Sequence, residues 1–148
     1  MVQPQPGAGR GVGGREVVHL ESAGLTTPAA YLELIRRLSF ENELAVWDSV
    51  IGNLRFIDGL YADSPHQEDF RARARPLLSA AFDRIGWEPR ANDEPEIALL
   101  RQRLIAELAA LGDPEITAEA RRKFDTLMRD RTAVPAALRA PIAKAVAY

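Results

Sequence analysis

The chain has no cysteine, which removes disulfides, thiolate metal ligands and thiol nucleophiles from consideration. Histidine is almost as scarce. His19 and His66 are the only two in 148 residues, and neither has the second histidine at i+4 that a zinc-binding helix needs. An excess of one charge is also missing: 19 Lys and Arg against 21 Asp and Glu leave a net charge of −2, without the concentrated basic field of a nucleic-acid binder. No apolar run approaches the roughly 18–20 residues of a bilayer-spanning helix. Arg10 and Arg15 are not followed by the apolar core of a secretory signal. These absences predict no nucleic-acid partner, no membrane partner and, by default, a cytoplasmic location. What remains is ordinary globular material, 47% hydrophobic and 27% charged, enough for one domain.

Glycine is distributed unevenly. Gly7, Gly9, Gly11, Gly13, Gly14 and Gly24 crowd the start of the chain together with Pro4 and Pro6. Such chain loses much entropy on ordering and offers few apolar side chains in return, so residues 1–24 are predicted to be disordered. Gly9 to Gly14 has the composition of a phosphate loop but lacks the preceding strand and the Lys-Ser/Thr that follows one.

Residues 25–148 carry helical periodicity. Thr27-Pro28 is an N-cap with proline at the first helical position, followed by Tyr31, Leu32, Ile35 and Leu38. After a break at Ser39 to Asn42, a second helix over about 42–61 carries Leu44, Trp47, Val50, Ile51, Leu54, Ile57, Leu60 and Tyr61. Gly52 inside it is expected to mark a close helix approach. Ser64-Pro65 opens a third helix running to Ile85, with Phe70, Ala74, Leu77, Ala81 and Phe82 inward and a kink expected at Pro76. Asp93 and Glu96 have capping-box spacing before a fourth helix that faces Ile97, Leu100, Leu104, Leu108 and Leu111 inward. Gly112 stops it. Asp113-Pro114 starts a fifth with Ile116, Ala120, Phe124 and Leu127 inward, and Pro135 and Pro141 are read as bracketing a turn before a last helix. The fold class is therefore all-α. Short loops imply antiparallel helix hairpins, and spacing leaves a closed bundle and an open solenoid equally open.

No constellation among these residues carries catalysis. His66, Glu68 and Asp69 sit at a helix start without metal-ligand spacing, and Asp93, Glu94 and Glu96 are better explained as a capping group than as an acid–base pair. Ser22, Ser39, Ser49, Ser64 and Ser79 lack a nucleophile elbow or a histidine base. Arg71, Arg73 and Arg75 read as a solvated, charge-balanced face, as do Arg121, Arg122 and Lys123. Trp47 and Trp87 read as packing anchors. The expectation is no catalytic, cofactor-binding or metal residue.

One ordered series of residues is more specific. Gly86-Trp87-Glu88-Pro89, Leu100-Arg101, Leu104, Leu111-Gly112-Asp113-Pro114-Glu115, Ala120, Phe124 and Val134-Pro135-Ala136-Ala137-Leu138-Arg139 resembles the C-terminal helical domain of the aminopeptidase N type zinc aminopeptidases. This domain is shared with the endoplasmic reticulum aminopeptidases. The resemblance spans about residues 25–148 and is densest from 86 to 139.

It implies an α-solenoid of HEAT- or armadillo-like hairpins that folds over a catalytic domain and walls the peptide chamber. It also implies zinc in that catalytic domain, on an HExxH motif with a further glutamate, beside a Gly-x-Met-x-Asn motif; none of these occurs here. The function it implies is that of a non-catalytic segment of a zinc aminopeptidase, inactive alone, with the parent's catalytic domain and a peptide substrate as partners. The family domain continues beyond the Leu138-Arg139 turn, so a truncated solenoid is expected, with Ile142, Val146 and Tyr148 exposed or used in self-association. The alternative is a free-standing helical-repeat interaction module.

Overall fold

A computed structural model describes residues 27–38 and 40–148; the segment expected to be disordered, 1–24, lies outside these. The described residues form six α-helices and no strand: α1 Pro28–Arg37, α2 Leu44–Leu60, α3 Gln67–Ile85, α4 Pro95–Ala110, α5 Pro114–Arg129 and α6 Ala136–Val146. The fold is all-α. Second neighbours in the chain pack together, α1 on α3, α2 on α4 and α4 on α6, while α3 also packs on α2 and α4, and α5 on α4 and α6.

α4 is the centre of this arrangement. Leu100, Leu104, Ile105, Leu108 and Ala109 are buried on it, together with Arg101 and Glu107. A helix touched by four others has no wide solvent face, so its burial goes beyond the single Leu stripe that periodicity predicts. Its ends show how closely the chain is punctuated. Gly112, at φ +75°, lets Asp113 N donate to Leu108 O at 2.9 Å and Gly112 N to Ala109 O at 3.0 Å, a Schellman closure. The next residue is already a cap: Asp113 Oδ1 accepts from the amides of Glu115 and Ile116, both at 3.0 Å, so α5 starts at Pro114. At α1, Thr27 Oγ1 accepts from Ala30 N at 3.2 Å in the same role.

Several expectations are corrected. Gly52 lies on an exposed face of α2, and a Cβ added there meets nothing within 4 Å, so no helix approaches it. Leu60, assigned to the inner stripe, is exposed, and on α3 the fully buried position is Leu78 rather than Leu77. α3 starts at Gln67, two residues after Pro65, because Ser64 Oγ accepts from His66 N in a preceding turn. It runs unbroken through Pro76, whose ring orphans the carbonyl of Ala72; both residues sit on the exposed side, where water can take the bond.

Pro141 is not part of a turn. It is buried inside α6, and the carbonyl it orphans belongs to exposed Ala137. That longer helix carries Ile142 into the core at 0% exposure, against the expectation that it would be left uncovered, because α6 lies on both α4 and α5. Val146 is half-buried against the core and Tyr148 is exposed.

Two substitutions should move stability in opposite directions. Ile142→Ala removes a fully buried side chain and is expected to cost about 2–5 kcal/mol in urea unfolding. Gly52→Ala, which meets open space on a helix face, is expected to add up to about 1 kcal/mol. A destabilised Gly52→Ala would mean that another surface does approach α2.

Candidate functional site

One cation is almost fully buried among the helices. Arg101, on α4, is 1% exposed. Its Nε donates to Gly86 O at 2.8 Å and its Nη2 to Ile85 O at 3.3 Å, so it closes the open carbonyl end of α3. The same Nη2 reaches Asp93 Oδ2 at 2.5 Å. Gly86 makes this geometry accessible: at φ +65° it ends α3 in the left-handed region while its amide still donates to Phe82 O. Asp93 in turn accepts from Arg90 N at 3.0 Å. The Arg90 amide, followed by the Arg101 guanidinium, holds the Asp93 carboxyl below its ordinary range.

Asp93 is thus not the helix cap its spacing with Glu96 predicted. The cap position of α4 is Glu94, which makes no capping side-chain bond, because the Asp93 carboxylate is committed to Arg101. Arginine on a leucine-rich helix was the missed signal. Its place immediately after Leu100 and opposite the Gly86 turn is apparent only once α3 and α4 are docked.

A second buried charge lies six residues further along α4. Glu107 is 1% exposed and accepts from Arg55 Nε of α2 at 2.6 Å. Burial pushes its carboxyl up, and the attraction of Arg55 only partly offsets this. The basic run on α3 is not a solvated face either. Arg71 grips Asp58 of α2 through two bonds, of 2.6 and 2.7 Å, while Arg75 donates to Leu111 O at the end of α4 and pairs with Glu68. Arg73 alone of the three is exposed as expected. On α5, Arg121 and Arg122 are exposed, but Lys123 pairs with Glu88 at 2.5 Å and lies 5.6 Å over the Trp87 ring. Trp87 meets Phe82 edge to face, and Trp47, fully buried, donates from Nε1 to Glu41 O at 2.9 Å. Both tryptophans are packing anchors.

The groups weighed for chemistry are dispersed. His66 is exposed and 3.9 Å from Asp69, and Glu68 is turned to Arg75. Among the described residues no group of three or more His, Asp or Glu side chains is placed to hold a metal ion. A zinc ion therefore finds no fitting donor set in residues 27–38 and 40–148. No helix of the described residues is long and apolar enough to cross a membrane.

Comparison with known proteins places these features in a family context. The ERAP1-like C-terminal domain matches residues 16–148. The chain is 28% identical over 126 residues to Aminopeptidase 2 of Candida albicans, covering 83% of this chain and 14% of that protein. It is 22% identical over 135 residues to the mitochondrial Aminopeptidase 2 of Saccharomyces cerevisiae, covering 89% of this chain and 14% of that one. The chain thus spans about one seventh of the length of these relatives.

The two buried charges give opposite tests. Removing Arg101 as Arg101→Met strands Asp93 and two carbonyls and is expected to cost about 3–5 kcal/mol; Arg101→Lys should recover little, lacking the planar fork. Asp93 has a lowered carboxyl, so its contribution is present above the ordinary aspartate range and is lost as pH falls through the folded value. Asp93→Asn should therefore flatten the acid side of a stability–pH profile. Glu107 has a raised carboxyl, so the fold loses stability as pH rises through that value. Glu107→Gln, neutral at every pH, should be at least as stable as the native chain at neutral pH and should remove that decline.

Proposed function

Because the chain belongs to the ERAP1-like C-terminal domain family, we propose that it is a non-catalytic segment of a zinc aminopeptidase, contributing to the wall and lid of the chamber where N-terminal residues are removed from peptides. The match over residues 16–148 carries this reading. The relatives' names support the peptidase assignment, and their length leaves ample chain elsewhere for a catalytic domain.

The packing of the helices supports the wall. Second-neighbour contacts of α1 with α3, α2 with α4 and α4 with α6, joined by the α3–α4 and α5–α6 hairpins, suit a two-layered helical repeat of the HEAT or armadillo kind. Such a stack grows by adding hairpins and curves gently, which is what an enclosing wall requires. The proposed partners are the parent's catalytic domain, which would hold the zinc, and the peptide in its chamber. Asp58, Asp93 and Asp113 are engaged with arginines or a helix start rather than free to hold a metal. The proposed compartment is the cytoplasm; the word mitochondrial in the name of the Saccharomyces relative makes cell fractionation the deciding measurement.

The chain alone is expected to give no turnover of aminoacyl chromogenic substrates, with or without added zinc. Deleting this segment from the full parent should disturb cleavage of long peptides more than that of single-residue chromogens, because only the former need an enclosed chamber. Chelator-sensitive turnover by the isolated chain, or equal effects on both substrate classes, would sink the reading.

A further inference from the structure

We propose that the groove where α2, α4 and α6 meet docks an acidic peptide segment of a partner chain, one that alternates Asp or Glu with apolar side chains. The groove has a volume of about 330 Å³. Three cations line it, Arg55 from α2, Arg103 from α4 and Lys144 from α6, and no carboxylate does. Their local neutralisation is incomplete. Arg55 spends its Nε on the buried Glu107, Arg103 meets Asp48 at 3.1 Å between two exposed side chains, and Lys144, which attracts the Glu107 carboxylate at longer range, makes no direct ion pair among the described residues.

The floor between the cations is apolar. Leu99 is half exposed there, and Ala106, Ala140 and Pro141 also line it. The Gln102 amide at the same floor makes no hydrogen bond among the described residues, so it retains a donor and an acceptor for a peptide backbone.

Charge complementarity and these apolar contacts together select the occupant. A polyphosphate or nucleic acid would meet three cations separated by apolar side chains on a chain of net charge −2, with no aromatic lining the groove for base stacking. An extended peptide presents its side chains alternately, so carboxylates can reach the rim while apolar residues settle on Leu99 and Pro141. The site stands on the described geometry alone and does not require the chamber reading.

The test is fluorescence anisotropy of the 148-residue chain with a labelled, C-terminally amidated peptide alternating Glu and Leu, against its Lys–Leu counterpart. Saturable binding of the Glu–Leu peptide only, weakened by salt, is expected. Lys144→Glu and Arg103→Glu should each weaken it about fivefold, and the double variant should prefer the Lys–Leu peptide. Leu99→Ser provides an uncharged variant on the floor that should also weaken binding, with thermal melts confirming that each variant is folded. Equal binding of both peptides, no saturable binding, indifference to these substitutions, or complete displacement by inorganic phosphate would each overturn the proposal.

Discussion

A guanidinium taken out of water must be repaid in hydrogen bonds, and the Arg101 site shows how this fold meets that demand. Its donors find the last carbonyls of α3, at Ile85 and Gly86, and the carboxylate of Asp93. The result ties the end of one helix, the loop that follows and the middle of the next into a single unit. Gly86 and Arg101, which stand fifteen residues apart in the family series, are two halves of one contact. The left-handed turn at Gly86 presents a carbonyl, and Arg101 occupies it.

The same principle recurs among the chain's 21 acidic residues. Four carboxylates are engaged between or at the ends of helices: Asp58 with Arg71, Asp93 with Arg101, Glu107 with Arg55 and Asp113 with the amides opening α5. Each engagement joins elements that are separate in sequence or closes a helix end. These polar groups hold helices in register, and Arg55, Arg103 and Lys144 share the α2–α4–α6 groove.

Much of the helix layout was legible in the residues themselves. Thr27-Pro28, Gly86 and Gly112-Asp113-Pro114 mark real helix ends, because caps, left-handed glycines and first-turn prolines act within a few residues. Inner-face assignments such as Trp47, Leu54, Phe82, Leu104 and Leu108 were equally legible from periodicity. The errors share one cause. Gly52, Leu60, Asp93 and Pro141 were read from residue type and spacing, whereas their place depends on which neighbouring helix lies against them, and the pattern within one helix is silent about that.

By itself, the sequence determined an all-α chain, its helix boundaries to within a few residues, and a family pattern strong enough to recognise. These properties arise from local backbone energetics and from the 3.6-residue repeat, which act along the chain. Only the tertiary structure decided that α4 is central, that Arg101 and Glu107 are buried, that Ile142 is covered, and that Arg55, Arg103 and Lys144 share a groove. Those properties depend on packing between residues up to some ninety positions apart, where burial reverses the ordinary preference of a charge for water and gives it a structural role.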